Sequence, residues 1–278
     1  PGRRRTGQGS YRNQGISMGT LGDLGAAAMT SNTRFISSAR VSPAQWQTWL
    51  ADQQIEVVTA DQLVHRDQRL VVVSPHPDDE ILACGAVLAS HSQRGGSCLV
   101  IAVTDGEASH QGTPGHDPIR LKTQRQNEST AGLRCLGVPS CAVVRLELPD
   151  GGLSLCGPQL TERLRELIRP EDVVITTWRL DGHPDHEACG RAAAAVCEQK
   201  GARLLEAPVW MWHWAVAADT QVHWGQLKAL RIDPTSVACK LKALAEHQSQ
   251  LTERPDNQPP VLDPAIIERA GWAAEYYF

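Results

Sequence analysis

From Arg69 to Ala207, short runs of aliphatic and β-branched residues alternate with single stretches of helical periodicity, and this alternation leaves the chain few architectures. Leu70-Val71-Val72-Val73 reads as a strand buried on both faces, and helical spacing follows over residues 79–94. The same pattern predicts strands over 98–103, 142–146, 172–176 and 203–207, with helices over 118–136, 158–169 and 184–200. Gly95-Gly96 and Leu136-Gly137-Val138-Pro139 mark helix ends. Strands separated by single helices need right-handed crossovers, which build a parallel sheet with helices on both faces. The expectation is an α/β fold: a doubly wound, Rossmann-like parallel sheet.

Outside that region the pattern weakens. Residues 1–34 are rich in Gly, Ser, Arg, Asn and Thr without periodicity and read as a flexible N-terminal arm. A helix is expected from Ser42 or Pro43 through Trp46, Trp49 and Leu50. Val209 to Trp214 reads as an edge strand or a loop, Lys240 to Leu251 as an amphipathic helix, and Arg254 to Asp263 as a proline-rich surface segment. The simplest partition is one domain over residues 35–278.

An apolar fraction of 41% allows a substantial core, and a net charge of −4 gives no reason to expect nucleic acid or an anionic membrane as partner. No apolar run approaches the roughly 18 residues that span a bilayer, and no signal-peptide pattern is seen, so neither integral membrane association nor secretion is expected. The expected compartment is the cytoplasm. The eight cysteines form no C-x-x-C pair and are expected to be reduced core residues.

Two strand-to-helix junctions carry the chemistry: Ser74-Pro75-His76-Pro77-Asp78-Asp79-Glu80 and Asp181-Gly182-His183-Pro184-Asp185-His186. Ligands of open parallel sheets bind beyond the carboxyl ends of strands, where both junctions fall. Proline after histidine suits a first helical turn and stiffens it. His76 and Asp79, like His183 and His186, are three residues apart and can face one point. One such pair is explained by a helix cap and a hydrogen-bonded histidine; two at matching positions point to a metal site. Nitrogen and oxygen donors without thiolate suit catalytic Zn²⁺, with Fe²⁺ or another divalent ion left open. Such an ion lowers the pKa of bound water to roughly 7, and a neighbouring carboxylate can carry the proton.

These residues resemble the LmbE-like, or PIG-L, family of metal-dependent de-N-acetylases. Ser74 to Glu80 is similar to its (A/S)-x-H-P-D-D-E signature and His183 to His186 to its H-P-D-H; Thr104-Asp105-Gly106-Glu107, Arg125-Gln126-Asn127-Glu128 and Leu148-Pro149-Asp150-Gly151 follow in order. The likeness covers about residues 69–200. It implies a catalytic domain with His76, Asp79 and His186 as metal ligands, Asp78 as general base, His183 as stabiliser of the oxyanion and Asp185 as its orienting partner. A cationic His183 facing the amide oxygen suits that role. The implied substrate is an N-acetylglucosamine-type amino sugar or glycoconjugate, cleaved to an amine and a carboxylate.

Other residues keep two readings. Arg125 faces substrate or forms an i,i+3 ion pair with Glu128; Asp105 and Asp150 meet sugar hydroxyls or hold turns. Trp178, Trp210, Trp212, Trp214 and Trp224 stack on substrate or fill core. A metal-dependent esterase or phosphatase, and a non-catalytic metal- or sugar-binding module, are the competing functions. Self-association stays open.

Overall fold

The structure, a computed structural model, describes Arg34, Ile36, residues 38–138 and residues 141–278. The expected N-terminal arm over residues 1–34 lies outside the described residues except for Arg34. In chain order the elements are α1 (Pro43–Ala51), β1 (Glu56–Val58), α2 (Ala60–Leu63), β2 (Leu70–Ser74), α3 (Asp79–Gln93), β3 (Cys98–Ala102), α4 (Pro118–Cys135), β4 (Ala142–Arg145) and α5 (Gly157–Leu167). They continue with β5 (Val173–Thr177), α6 (Pro184–Lys200), β6 (Arg203–Ala207), α7 (Met211–Trp214), β7 (Lys228–Arg231), α8 (Pro234–Ala245), α9 (Gln248–Leu251), α10 (Pro264–Ala270) and β8 (Ala274–Tyr277).

Strands β2 to β6 form a parallel sheet of order β4-β3-β2-β5-β6. The chain moves outward from β2 to β4 and then returns to lay β5 against the other side of β2. Strand order therefore reverses between β2 and β5, and a crevice opens beyond their carboxyl ends. Both His-Pro junctions leave those two ends. Side-chain alternation with both faces covered explains the unbroken apolar runs of β2, β3 and β5. Leu70, Val72, Val100 and Ile175 pack with Ile81, Leu88, Leu133 and Leu244 from α3, α4 and α8, while Val71, Val73, Ile101 and Val174 pack with Leu160, Leu164, Ala188 and Val196 from α5 and α6. Each such burial contributes about 1.5–3 kcal/mol.

Three features depart from the sequence reading. First, α3 is not continuous: Cys84 has φ −152° and ψ 25°, which breaks the helical ladder. The groups this frees are taken up from the far end of the chain. Glu275 accepts from Ala86 N (2.8 Å) and Val87 N (3.1 Å), Lys240 Nζ donates to Leu82 O (3.0 Å), and the two side chains pair at 2.7 Å in a buried setting. Second, the helix expected over 240–251 begins earlier, where Asp233 caps Thr235 and Ser236, and ends at Ala245; α9 is a separate turn. Third, a small sheet of order β1-β7-β8 joins the two ends of the domain, and Phe278 N donates to Glu206 O (2.9 Å), tying it to β6.

Val209 to Trp214 forms no edge strand: Val209 and Trp210 are loop, and the rest is the short buried helix α7. Trp178, Trp212 and Trp214 belong to a third core cluster with Trp46 and Met211; Trp46 and Trp212 meet edge to face at 5.2 Å. Among the described residues no helix is long and apolar enough to cross a membrane.

Helix α4, which carries Arg125, starts at an Asp117 cap whose carboxylate accepts from Ile119 N (3.0 Å) and Arg120 N (3.2 Å). Asp117→Ala is expected to lower stability by about 1 kcal/mol in denaturant unfolding. An unchanged midpoint would mean that the cap does not hold the helix start.

Candidate active site

The turn after β2 is held by buried polar contacts. Glu80, 1% exposed, accepts from Asp78 N (3.1 Å) through one oxygen and from Ser129 Oγ (2.6 Å) through the other. Asp78 stands at φ 138°, a region that residues with a side chain avoid. Holding it there costs on the order of 1–3 kcal/mol, and such strain concentrates at functional positions.

Asp79 lies between two imidazoles. Its Oδ2 is 3.3 Å from His76 Nδ1 and 3.2 Å from His186 Nε2. Donors bound tetrahedrally to one zinc ion at ordinary bond lengths stand roughly 3.4 Å apart, a spacing that Asp79 has to each of the two imidazoles. The imidazoles are oriented from behind. His186 Nδ1 donates to Asp181 Oδ2 (2.8 Å), which leaves Nε2 to face Asp79; His76 Nε2 lies 3.2 Å from Asp185 Oδ2 and 3.3 Å from Asp150 Oδ1. Carboxylates behind metal-binding histidines fix ring orientation in this way. His183 completes a trio in which His76, His183 and His186 offer nitrogens within 4.8 Å of one another. The buried donor set, two imidazoles and a carboxylate, fits a divalent metal.

Electrostatics separate the roles. Burial favours the neutral form of Asp79, but the His186 and His76 partners outweigh it and hold Asp79 ionised, well below the carboxylate range. Burial, reinforced by the Asp79 charge, pushes neighbouring Asp78 well above that range. Among the described residues the Asp78 carboxylate has no hydrogen-bond donor. The Asp78 carboxylate is therefore uncommitted, whereas Asp79 beside it is engaged by two imidazoles. His186 is raised to about 9, with burial opposing and Asp79 and Asp181 prevailing. Burial, then the neighbouring His186 and His76, lower His183 to about 3. A neutral His183, accepting from Asp185 N at Nδ1 (3.2 Å), must carry its hydrogen on Nε2. Burial, more than the two neighbouring imidazoles, thus favours a neutral N–H donor at His183 over the expected cationic imidazole.

The remaining expected residues divide. Arg125 lines the cleft at 2% exposure, with Nε and Nη2 unpartnered among the described residues. It makes no ion pair with Glu128, whose carboxylate accepts instead from Ser249 N (2.9 Å) and Ser249 Oγ (2.6 Å). Its guanidinium lies across Gly106, where an added Cβ would sit 2.0 Å from Nη1 and where φ is +71°. Asp150 lines the cleft beside His76. Asp105 does not: it is buried against Gln126 (2.9 Å) and Arg145 (3.1 Å), bracing α4 on β4, an arrangement that favours the structural one of its two expected readings. The Asp185 carboxylate accepts from Gly151 N (2.8 Å) and Leu153 N (3.1 Å) and meets His76, so it orients that ring and the loop at Asp150; His183 receives only the Asp185 backbone N–H.

The cleft holds about 390 Å³, and its lining includes the polar Arg125 and Asp150 and the apolar Trp210, Leu82, Val261 and Leu262. Of the tryptophans, Trp210 faces it, half-buried, 6.4 Å from the His183 ring. Two contributors escaped the sequence reading, Asp181 and Gln250. Asp181 was legible only as the residue opening the second motif. It is fully buried and, besides His186, accepts from Val209 N (2.9 Å), Trp210 N and Met211 N (2.9 Å), so one carboxylate sets both an imidazole and the apolar wall. Asp181→Asn is expected to weaken metal binding roughly 10- to 100-fold, read by competition with a chelating dye. Unaltered affinity would remove it from the site.

Fold and site together define an α/β protein with an imidazole–carboxylate centre where its doubly wound sheet reverses strand order. More particularly, residues 71–197 match the family model described as PIG-L: GlcNAc-PI de-N-acetylase. A 1D-myo-inositol 2-acetamido-2-deoxy-alpha-D-glucopyranoside deacetylase of Mycolicibacterium gilvum (strain PYR-GCK) is 27% identical, the match covering 75% of this chain and 89% of that protein. An uncharacterized deacetylase of Escherichia coli (strain K12), YaiS, is 28% identical over 46% of this chain and 67% of its own length. The crystal structure of the A40926 pseudoaglycone deacetylase Dbv21 superposes with a TM-score of 0.58 at 20% identity, covering 76% of this chain and 96% of that one, a likeness of fold.

Proposed function

We propose that this chain is a metal-dependent amide hydrolase that removes the N-acetyl, or a related acyl, group from an N-acetylglucosamine-type amino sugar or glycoconjugate. The observation that carries the reading is Asp79 Oδ2 poised between His76 Nδ1 and His186 Nε2, with the unengaged Asp78 carboxylate in the same cleft. The deacetylase names of its relatives support it.

His76, Asp79 and His186 would hold the ion, zinc by donor type, with Fe²⁺ accommodated by the same set. When bound, such an ion acts as a Lewis acid and makes water more acidic. Asp78, the carboxylate with the raised proton affinity, takes the proton of the attacking water and delivers it to the departing nitrogen as the C–N bond breaks. His183 donates its Nε2 hydrogen to the amide oxygen as negative charge gathers there. Arg125 and Asp150 offer a donor and an acceptor to sugar hydroxyls, and Trp210 offers an apolar face. Residues 35–278 act as one catalytic domain around the family core, a view supported by Trp210, Gln250 and Leu262 reaching the cleft from beyond that core. Eight free cysteines support a cytoplasmic setting.

The test is a mass-spectrometric panel of acylated amino sugars and glycosides incubated with Zn²⁺-loaded protein. Release of acetate with a matching free amine is expected. Phosphate or ester cleavage without amide cleavage, or bound metal with no turnover, would overturn the proposal.

A further inference from the structure

The peptide bond joining Pro77 to Asp78 is gripped at both ends. Its N–H donates to Glu80 Oε2 (3.1 Å), and its carbonyl accepts from Gln250 Nε2, supplied by α9 from far along the chain. Gln250 is 1% exposed, and the orientation of its amide is set, because only the nitrogen can face a carbonyl oxygen. The proline ring already fixes φ at residue 77, so the soft rotations that aim Asp78 are ψ of Pro77 and φ of Asp78. These are the two rotations that turn the gripped peptide plane. Helix α9 is itself anchored: Ser249 N and Oγ bond the Glu128 carboxylate at 2.9 and 2.6 Å, and Leu262 N donates to Gln250 O at 3.0 Å.

We infer that Gln250 is a positioning residue for the reaction: its side-chain amide, holding the Pro77 carbonyl, keeps Asp78 in its φ 138° conformation with the carboxylate in the cleft. This rests on Asp78 being the proton acceptor. It also gives a role to a segment outside residues 71–197, the span of the family match.

Gln250→Met keeps length and removes the donor; Gln250→Glu keeps shape and sets a carboxylate against the carbonyl. Each is expected to lower kcat on the order of 10- to 100-fold, the scale of a displaced reacting group, with KM and bound zinc per chain little changed. Gln248→Ala, on the exposed side of the same turn, should match the parent protein. In a crystal structure of Gln250→Met, Asp78 should leave the positive-φ region. If that variant does not fold, Gln250→Glu is read in the same two ways. Parental kcat in a Gln250 variant, or an Asp78 backbone that does not move in its crystal structure, overturns the inference. Absence of amide turnover in the parent protein would instead count against the proposed function, and the crystallographic comparison still decides the role of Gln250.

Discussion

Asp78→Ala should lower kcat roughly 100- to 10,000-fold, the usual contribution of a positioned general base, while zinc per chain stays at the parental value. The two halves of this result come from different contacts. Asp79, not Asp78, lies within 3.3 Å of both His76 and His186, so removing the Asp78 carboxylate leaves the proposed ligand set whole. Asp78 is the group whose proton affinity burial and the Asp79 charge raise, and it has no donor committed to it among the described residues. Asp78→Gly should lose the same activity yet unfold at higher denaturant, gaining roughly 1 kcal/mol, because glycine accepts φ 138° without strain. Loss of metal in Asp78→Ala would exchange the assignments of the two aspartates, and retained kcat would remove the base.

His183→Ala should reduce kcat roughly 100- to 1,000-fold, as loss of one donor to a developing oxyanion does, again with little change in metal content. His183→Gln, which keeps an N–H donor, should recover part of the loss. Burial and the neighbouring imidazoles hold His183 at about 3, so lowering the pH protonates it only in strong acid. From about pH 5 upward it stays a neutral donor, and His183→Gln should keep the acid limb of the parental kcat profile. Disappearance of that limb in the variant would mean that His183 titrates during catalysis and acts as an imidazolium.

The sheet was legible because each of β2, β3 and β5 is buried on both faces, so residues such as Leu70 to Val73 must all be apolar and announce themselves as a run. The His-Pro junctions were legible for the same local reason: a proline, a histidine and carboxylates within one turn. What stayed hidden depends on partners distant in sequence. Gly85 alone does not tell that the helix breaks at Cys84, since the groups that make the break tolerable are Lys240 and Glu275. Strands β1, β7 and β8 have three or four residues each, too few to display a period. Asp105 and Asp150 look alike as loop aspartates before glycine, yet Arg145 and Gln126 draw one into the scaffold while His76 draws the other into the cleft. Gln250 carries no motif, and its contact with the Pro77 carbonyl exists only in the folded chain.

One cation shared by two distant turns underlies the whole proposal, and anomalous diffraction at the zinc edge from crystals grown with Zn²⁺ locates it. A single peak bonded to His76 Nδ1, Asp79 Oδ2 and His186 Nε2 is expected. His76, Asp150 and Asp185 also bring potential ligand atoms within 4.8 Å of one another. A peak at that second cluster instead, or no ordered peak near either histidine pair, would contradict the site described above.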